Sequence, residues 1–549
     1  MIDIEKPLGY INFDGLGGEN NEVEIRVPGD RLDSLKRGQY VMLESNATGS
    51  STLYLARIVR GPFFVPDAVS RDSAYARAAV LQADAVKFRP DFHGVCTAEI
   101  LGQIVDEQEL ALAGTSTRPF PQAAVRRLTG EQIEKLLTLG GDIYLGELSG
   151  YPGVQVRLRS GDKKVLPRNL GIFGTVGSGK TNTSQVLIEG AAACGWAVIV
   201  LDVEGEYVEM DQPSSEAESN YKMKKLMDRF GVEPKGISNL VVMHCTGTEP
   251  AISGVSREFG LRFGRSDPYI LSEILGLTDP QMERFLEVYF ELASPANSQK
   301  QRQQGKSKPG LADFFADDTD ELENVGVQLK EIVNVVKSRA TNPQSQGRSS
   351  WQVLLRKLEK VQRYQIFDTG NDLGDYSELF RSGQVTVFDV SNSSNVWINN
   401  IVISDILRGL FSAKIKDRAG RLPPVMVVIE EAHTFVSREN VSRMGTTLDT
   451  LRDISRRGRK RWISLCFISQ QPAHLPPEIY ELCNTKIVHQ TTGGKNLDAL
   501  RSSAGDVNTA IWQEIPVLGQ GRCLAIGAQF RHPVLCDIRP CSSNRRFTE

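Results

Sequence analysis

Apolar positions along the chain change their spacing near residue 160. From residue 9 to roughly residue 159 they form short alternating runs, such as Glu22–Val27, Gln39–Leu43 and Thr52–Val59, and Gly, Pro, Asp and Asn separate these runs. A period of two is typical of half-buried strands. We therefore predict a small all-β barrel with its connector over residues 1–160. A short helix is expected inside that region at Thr129–Leu139.

After Pro167 apolar strands alternate with helical stretches, a pattern that is typical of parallel α/β architecture. The pattern predicts seven strands: Leu170–Phe173, Ala197–Asp202, Leu240–His244, Val385–Val390, Val425–Ile429, Ile463–Ile468 and Lys486–His489. It predicts intervening helices at Thr181–Cys194, Val396–Lys416 and Thr446–Arg456. The expected α/β core covers residues 161–206 and 382–540, and residues 541–549 are expected to form a tail.

Between the two parts of this core, residues 207–381 predict a helical insertion. Helical periodicity is present in four segments: Pro268–Leu275, Gln281–Ala293, Glu321–Ser338 and Trp351–Arg363. Two polar stretches, Asn297–Lys308 and Thr341–Ser350, are rich in Gln, Ser, Lys and Arg. Their composition favours surface loops over DNA-contacting loops.

Composition limits the class of protein. The chain has 549 residues and a formal charge of −3, so any nucleic-acid contact has to rely on a local basic surface. Its eight cysteines contain no CxxC pair and are interpreted as buried thiols. No apolar run reaches the length that spans a bilayer. We expect a cytoplasmic protein without a membrane partner.

The chemistry begins directly after the apolar strand Leu170–Phe173, where a Gly-rich loop leads into a helical pattern. This strand, loop and helix order is the context of a P-loop, whose backbone N–H groups surround phosphates at a helix N-terminus. We expect Lys180 to reach the β- and γ-phosphates of ATP and the Thr181 hydroxyl to ligate Mg²⁺. The predicted nucleotide-binding residues are Gly174, Val176, Gly177, Ser178, Gly179, Lys180, Thr181 and Asn182.

A second motif is the strand Val425–Ile429, which runs into Glu430 and Glu431. A parallel strand that ends in carboxylates delivers them to the sheet edge where ligands bind. We expect Glu430 to hold Mg²⁺ through its water shell and Glu431 to activate the attacking water. His433 follows at a helix start, where packing or capping is the commoner role.

Two further strands end in polar groups at the same expected edge. Asp202 and Glu206 follow the strand after the P-loop helix, and Asp202 could either face the nucleotide or cap a turn. Gln470 follows the strand beside Val425–Ile429 and is a candidate sensor of the γ-phosphate, with a simple turn as the alternative.

A basic run lies between the acidic motif and that last strand. On a helix such residues usually form a solvated face, but one of them could project to a neighbouring subunit's nucleotide as an arginine finger. Arg459 is the first candidate and Arg457 the second. The run comprises Arg452, Arg456, Arg457, Arg459, Lys460 and Arg461.

Taken in order, the segments GTVGSGKTN, LDVEGEY, VFDVS, VVIEEAH, RRGRK and ISQQP resemble the HerA branch of the HerA and FtsK superfamily. The resemblance implies a RecA-like P-loop NTPase core, and the N-terminal pattern is similar to the barrel that this branch shares with rotary ATP synthases. Two positions depart from the family pattern. Gln471 stands where many relatives have Arg, which leaves a role of that Arg in doubt, and Asn169 stands where His is common.

The resemblance implies an ATP-hydrolysing homohexamer with nucleotide between subunits and double-stranded DNA in the pore. A NurA-like nuclease or a sirtuin-type or other defence effector is the implied partner, in DNA end processing or anti-phage defence. An alternative remains: a nucleotide-switched scaffold that organises and activates a partner enzyme without processive movement. A secretion or conjugation motor is less favoured, because such motors carry or dock onto a membrane segment.

Overall fold

The computed structural model describes residues 6–13, 21–47, 50–81, 91–106, 109–216, 220–252, 254, 256–304, 326–392, 396–435, 445–505 and 507–546. The chain forms two compact units. Unit 1 comprises Met1–Leu158, Gly505–Leu518 and Arg522–Ile538. Unit 2 comprises Arg159–Ala504, Gly519–Gly521 and Arg539–Glu549.

Unit 1 contains a closed six-stranded barrel, as the alternating pattern predicts. The barrel order is β2-β1-β7-β3-β4-β5, and β5 pairs back onto β2 with Cys96 opposite Ile25, while β6 adds to the outside of β5. Alternate side chains of these strands fill the interior, including Ile25, Val41, Ala56 and Val125. The strands are β1 Gly9–Ile11, β2 Glu22–Val27, β3 Tyr40–Ala47, β4 Ser50–Pro66, β5 Phe92–Asp106, β6 Ala111–Ala113 and β7 Ala124–Arg127.

Two short helices and a hairpin complete the N-terminal part. Helix α1 spans Ala74–Leu81. Helix α2 spans Gly130–Leu137, close to the predicted Thr129–Leu139, and a capping box between Thr129 and Gln132 fixes its start. The hairpin comprises β8 Ile143–Leu148 and β9 Gln155–Leu158.

Unit 2 is built on an eight-stranded parallel sheet with the order β13-β12-β14-β11-β15-β16-β10-β17. Every residue of the five strands β10, β11, β14, β15 and β16 is buried, which explains their continuous apolar runs. The seven predicted strands are confirmed to within one residue at each end. The strands are β10 Leu170–Phe173, β11 Ala197–Asp202, β12 Leu240–Cys245, β13 Arg257–Phe259, β14 Val385–Asp389, β15 Val425–Ile429, β16 Ile463–Ser469 and β17 Thr485–His489.

Helices cover this sheet and form most of the insertion. The polar stretch predicted as a loop from Asn297 differs, because the helix that begins at Asp279 continues to Gln304. Its Gln, Lys and Arg residues are good helix formers. The helices are α3 Lys180–Ala193, α4 Tyr221–Phe230, α5 Pro268–Ile274, α6 Asp279–Gln304, α7 Leu329–Thr341, α8 Arg348–Arg363, α9 Val396–Lys416, α10 Ala432–Phe435, α11 Gly445–Gly458, α12 Pro477–Leu482 and α13 Gly494–Ser502.

The insertion is less purely helical than predicted, because β12 and β13 extend the edge of the sheet. Its own core is aromatic, with Phe263 in contact with Phe285, Tyr289 and Phe367. Of the predicted helix Glu321–Ser338, residues 321–325 lie outside the described residues, and the helix of the structure is Leu329–Thr341.

The C-terminal part of the chain departs from the predicted boundaries of 382–540 and 541–549. Helix α14 Thr509–Trp512 and strands β18 Arg522–Ile526 and β19 Val534–Ile538 belong to unit 1. Strand β19 pairs with β8, where Cys536 lies opposite Leu148, and this gives an antiparallel sheet β18-β19-β8-β9. Within the predicted tail 541–549, Cys541 and Ser543 are buried in unit 2, and residues 547–549 lie outside the described residues.

Among the described residues, no helix combines the length and the apolar character needed to cross a membrane.

Candidate active site

Four neighbouring strands of unit 2 end at one edge of the sheet. Register places Phe173 beside Ser469, Ile429 beside Phe467, and Leu201 beside Ile429. The residues that follow these strands therefore meet at the carboxyl edge, where parallel sheets bind ligands. This edge brings together the Gly-rich loop after β10, Asp202 after β11, Glu430 and Glu431 after β15, and Gln470 after β16.

The loop Gly174–Gly179 has the backbone of a phosphate cradle. Gly177 and Gly179 adopt φ angles of 72° and 105°, which favour glycine. A Cβ on Gly174 would lie 2.6 Å from Ser178 Oγ and 2.7 Å from the His489 Cβ. Helix α3 begins at Lys180, so its first backbone N–H groups point toward this loop. The glycines thus let the backbone close around an anion.

The Lys180 side chain folds back across the Gly-rich loop that precedes it. Its side chain is buried, and Nζ donates to Thr175 O at 2.8 Å. Thr175 is itself held by Gln490 O, which accepts from its backbone N–H at 2.8 Å and from its hydroxyl at 3.0 Å. The predicted ligand Val176 lies at the exposed tip of the loop with 68% of its surface accessible. The ammonium is therefore the principal positive charge inside the cradle.

Asp202 builds the next loop rather than facing a ligand. Its Oδ1 accepts the backbone N–H groups of Glu204, Gly205 and Glu206 at 3.2, 2.7 and 3.2 Å. Its Oδ2 accepts that of Tyr207 at 3.0 Å. Of the two roles left open by the sequence, the structure thus supports turn capping.

The capped turn brings Glu206 near the P-loop. Burial raises the pKa of Glu206, and the Thr181 side chain and the charges of Arg545 and Lys180 oppose this shift. Glu206 therefore lies close to Thr181, the residue predicted to ligate Mg²⁺.

Glu430 and Asp202 form a buried pair of carboxyl groups. They are hydrogen-bonded to each other, and Glu430 Oε2 also accepts the backbone N–H of Glu204 at 3.3 Å. Burial raises the pKa of Asp202 to about 6. Burial and the charges of Asp202, Glu206 and Glu431 raise the pKa of Glu430 well above its usual range.

These groups fit Mg²⁺, which prefers oxygen ligands. Across the described ranges no three His, Cys, Asp or Glu residues form a ready cage for a metal. Mg²⁺ in phosphate-transfer sites is held by only one or two protein groups, with waters and substrate phosphates completing its shell. Thr181 and Glu430 suit that arrangement, and the excess of buried carboxylates favours a cation there.

Glu431 combines backbone strain with a side chain that is poorly hydrogen-bonded. It adopts a φ angle of 43°, which is uncommon for a residue other than glycine. Its carboxylate is buried, and Oε2 lies 3.0 Å from His433 Nδ1 but makes no hydrogen bond. A carboxylate in such a position has lone pairs available to accept a proton from water.

His433 lies closer to the candidate catalytic carboxylate of Glu431 than the sequence suggested. Besides its contact with Glu431, its Nδ1 lies 3.4 Å from Ser469 Oγ at the end of β16. Gln470 follows Ser469 at this edge and is half-buried, next to Gly174, whose N–H donates to Ser469 O at 3.4 Å. Gln471 is exposed. The position of Gln470 agrees with the sensor prediction, which stays a prediction.

Arg459 lies at the opposite edge of the sheet. It begins a short 3-10 turn before β16, and the seven residues of β16 separate this turn from Gln470 by about 20 Å. Three members of the basic run have structural contacts: Arg452 pairs with Asp449 and Glu478, Arg457 lies over the Phe411 ring, and Arg461 donates to Lys414 O. Arg459 is therefore not part of the site of its own chain.

Asn182, predicted to bind nucleotide, uses its amide elsewhere. Its Nδ2 donates to Arg539 O at 2.8 Å, and its Oδ1 accepts the Cys541 N–H at 2.9 Å. The Asn182 side chain is therefore engaged away from the loop, and its predicted contact with nucleotide stays a prediction for its backbone N–H.

Two contacts of the cradle escape sequence reasoning. His489 Nε2 lies 2.8 Å from Thr183 Oγ1 in the first turn of α3. The backbone N–H of Gly521 donates to Ser178 O at 3.1 Å. Both partners lie more than 300 positions from the loop in the sequence.

Comparison with known proteins agrees with this geometry. The family model described as "Helicase HerA, central domain" matches residues 143–410. The DNA double-strand break repair helicase HerA of Sulfolobus acidocaldarius is 22% identical over 92% of this chain and 88% of its own length. The corresponding helicase of Sulfurisphaera tokodaii is 24% identical over 76% of this chain and 73% of its own.

The chain is similar to the HerA-type ATPases along most of its length. Among solved structures, VirB4 of Thermoanaerobacter pseudethanolicus superimposes with a TM-score of 0.48 and 20% identity, over 73% of this chain and 96% of that one. The HerA match contains the P-loop and the Asp202 turn but ends before β15. Glu430 and Glu431 lie outside the matched residues, and their place at the same sheet edge as the P-loop comes from the strand register.

Proposed function

We propose that this HerA-type ATPase is a homohexameric ring motor that moves along double-stranded DNA and works with a partner nuclease or other effector. Relatives that span most of the chain are named DNA double-strand break repair helicases, which supports DNA as the substrate. A NurA-like nuclease would place the motor in DNA end processing, and a sirtuin-type effector would place it in anti-phage defence.

The observation that carries the hydrolytic mechanism is the meeting of Lys180 and Glu431 at one edge of the sheet. Glu431 accepts a proton from the attacking water as the water adds to the γ-phosphorus of ATP. The Lys180 ammonium and the backbone N–H groups of the loop stabilise the negative charge on the transferred phosphoryl group. Gln470 follows the neighbouring strand and is suited to detect whether the γ-phosphate is present.

Thr181 and Glu430 are the residues that would hold Mg²⁺. When bound, Mg²⁺ neutralises charge on the β- and γ-phosphate oxygens. Asp202 fixes the turn beside them.

The hydrolytic assignment is tested by two substitutions. Lys180→Ala should lower kcat/KM for ATP by roughly a hundredfold or more, because it removes the main cation from the cradle. Glu431→Gln should lower kcat by about 10²–10⁴-fold and leave nucleotide binding in place, because it removes the base only. Phosphate release and binding of a fluorescent ADP analogue measure the two effects.

Arg418→Ala is the matched control for these variants, because Arg418 is an exposed cation beyond α9 at the amino edge of the sheet. It should keep wild-type turnover. Wild-type phosphate release by either Lys180→Ala or Glu431→Gln would overturn the assignment of the site.

The motor and the nucleotide-switched scaffold make different predictions for DNA. A motor should hydrolyse ATP faster with duplex DNA, and added salt should weaken this stimulation steeply because counterions are released on binding. ATPase assays with duplex DNA between about 50 and 200 mM salt test this prediction. Stimulation by a co-purified protein, with none by DNA at any salt concentration, would favour the scaffold.

A further inference from the structure

His433 lies between the candidate catalytic base and the end of strand β16. It is the second residue of α10, and its Nδ1 lies 3.0 Å from Glu431 Oε2. The same nitrogen lies 3.4 Å from Ser469 Oγ, the hydroxyl of the last residue of β16. Only 18% of the His433 side chain and 8% of the Glu431 side chain are accessible to solvent. One ring nitrogen therefore faces two oxygens in a largely buried environment.

The chemistry of these groups decides which of them donates. An ionised carboxylate only accepts hydrogen bonds, so a ring nitrogen that bonds to Glu431 has to carry the proton. Ser469 Oγ can accept from the same N–H, because a hydroxyl oxygen has two lone pairs. This oxygen also accepts the Gln471 N–H at 3.1 Å, which holds the hydroxyl in place. His433 is thus a single donor between two acceptors.

Ser469 connects this contact with the phosphate loop. Its carbonyl accepts the Gly174 N–H at 3.4 Å, and the parallel register places it beside Phe173, the last residue before the loop. The next residue is Gln470, the candidate sensor of the γ-phosphate. Ser469 is completely buried. A displacement of the loop or of Gln470 therefore changes the position of the Ser469 hydroxyl relative to His433.

The Glu431 carboxylate needs a partner of this kind. Its Oε2 is buried and accepts no hydrogen bond within the part of the chain that the structure describes. The distance to His433 Nδ1 already suits a hydrogen bond, and only the alignment is lacking. Hydrogen bonds of catalytic groups commonly tighten when the substrate binds. A bond from His433 to Oε2 leaves Oε1 to accept the proton of the attacking water.

We propose that His433 is a positioning residue of the ATPase site: its Nδ1–H holds Glu431 Oε2, and Ser469 holds the imidazole. This inference rests on the proposed function, because His433 acts only through Glu431 as the base. The carboxylate is aimed at the water only while the end of β16, which leads into Gln470, is in place beside the P-loop. Sensing of the γ-phosphate at Gln470 thereby regulates the base.

The first test compares His433→Leu with His433→Asn in the full chain. The Leu variant lacks both ring nitrogens, whereas the Asn amide can place an N–H near the position of Nδ1. His433→Leu should lower kcat for ATP by about 10–100-fold, because the base loses its aim while the phosphate cradle stays intact. KM, Tm and the affinity for a fluorescent ADP analogue should keep wild-type values. His433→Asn should recover most of kcat.

The matched control is His474→Leu, which removes an exposed histidine that follows the same strand. It should keep the wild-type kcat. Ser469→Ala is a second variant, with a smaller change in volume, and it should lower kcat in the same direction as His433→Leu. Because both residues act in one chain of contacts, the double variant should be no slower than His433→Leu alone.

A further experiment separates positioning from a general structural role. In a Glu431→Gln chain the base is absent, so adding His433→Leu should not slow single-turnover phosphate release any further. A residue that merely supports the fold would slow it again.

Three results would each overturn the role of His433: a wild-type kcat in His433→Leu, equal losses in the Leu and Asn variants, or an added loss in the Glu431→Gln chain. Wild-type phosphate release by Glu431→Gln would instead overturn the proposed function, and the role of His433 with it. A slow Glu431→Gln variant beside a wild-type His433→Leu variant would remove the positioning role and leave the proposed function in place.

Discussion

No hydrogen bond between Asp202 and the P-loop is found among the described residues. The two Asp202 oxygens instead accept four backbone N–H groups of the turn that approaches the P-loop. Replacing Asp202 with Asn leaves one oxygen and puts an amide donor opposite the Tyr207 N–H. We expect the free energy of unfolding to fall by about 1–3 kcal/mol, because a buried donor loses its acceptor. ATP turnover should fall by a larger fraction than the free energy of unfolding, because the loosened turn moves Glu206 away from Thr181.

Thermal melting and phosphate release measure this effect of Asp202→Asn. Glu204→Gln is its control, because Glu204 contributes its backbone N–H to the turn, and no side-chain hydrogen bond of Glu204 is found within the described residues. It should keep the melting temperature. An Asp202→Asn protein with wild-type turnover would contradict the role assigned to the turn.

Single residues differ in how well the sequence predicts them. Lys180 and Thr181 are recognised because a P-loop is defined by adjacent positions. Asn182 is adjacent as well, but the direction of its side chain depends on a segment 357 positions later. His433 is a similar case. Its proximity to Glu431 follows from the strained backbone of Glu431, at a φ angle of 43°, which no local sequence pattern predicts.

At the scale of elements, Asn169 fixes the start of the P-loop strand. At a φ angle of 60°, its Oδ1 accepts the Leu465 N–H at 2.9 Å, and its Nδ2 donates to Leu482 O at 3.2 Å and to Ser455. Through these bonds Asn169 joins the start of β10 to β16 and α11. We expect Asn169→Ala to cost about 2–4 kcal/mol, because it leaves a buried N–H unpaired and strains the backbone.

Calorimetric melting of the whole chain tests this cost. Asn169→Gly is the comparison, because Gly accepts the positive φ angle while losing the same hydrogen bonds. Its melting temperature should lie between those of the wild type and the Ala variant. An Ala variant as stable as the Gly variant would show that backbone strain contributes nothing.

Most strands of unit 2 are predicted to within one residue, because β10, β11, β14, β15, β16 and β17 are buried along their whole length and therefore mostly apolar. The insertion is harder to predict. Its helices follow from periodicity, but β13 has only three residues, Arg257–Phe259, and two of them are exposed. Such a strand exists because β12 is already in place beside it, which is information that the local sequence lacks.

At the scale of the whole molecule, the position of Arg459 makes the ring testable. Because it lies about 20 Å from the P-loop edge of its own chain, any contact with nucleotide comes from a neighbouring subunit. We expect Arg459→Ala to lower kcat by about 10³-fold or more. Mixing it with Lys180→Ala should restore part of the activity, since some interfaces then combine an intact cradle with an intact arginine.

Phosphate release from co-refolded mixtures of the two variants measures this complementation. A mixture of Arg456→Ala with Lys180→Ala is the control. It should show only the activity that the Arg456→Ala subunits have by themselves. Mixtures that merely average the two parents would contradict a trans-acting Arg459.

The boundaries of the two units could be predicted only in part. The change of period near residue 160 marks one of them, because it reflects a change from antiparallel to parallel sheet. The return of residues 505–518 and 522–538 to unit 1 depends on the pairing of β19 with β8, between Cys536 and Leu148. Nothing in either strand specifies a partner almost 400 residues away.

That pairing constrains the order in which unit 1 can fold during synthesis. Strand β8 leaves the ribosome early, but β18 and β19 emerge only when nearly the whole chain has been translated. The barrel strands can close during synthesis, whereas the sheet beside them waits with an unpaired edge, which is a site for wrong pairing. A gene fragment that stops at residue 160 would therefore leave one edge of β8 unpaired. To obtain a stable unit 1 on its own, residues 505–538 would have to be joined to this fragment through a linker.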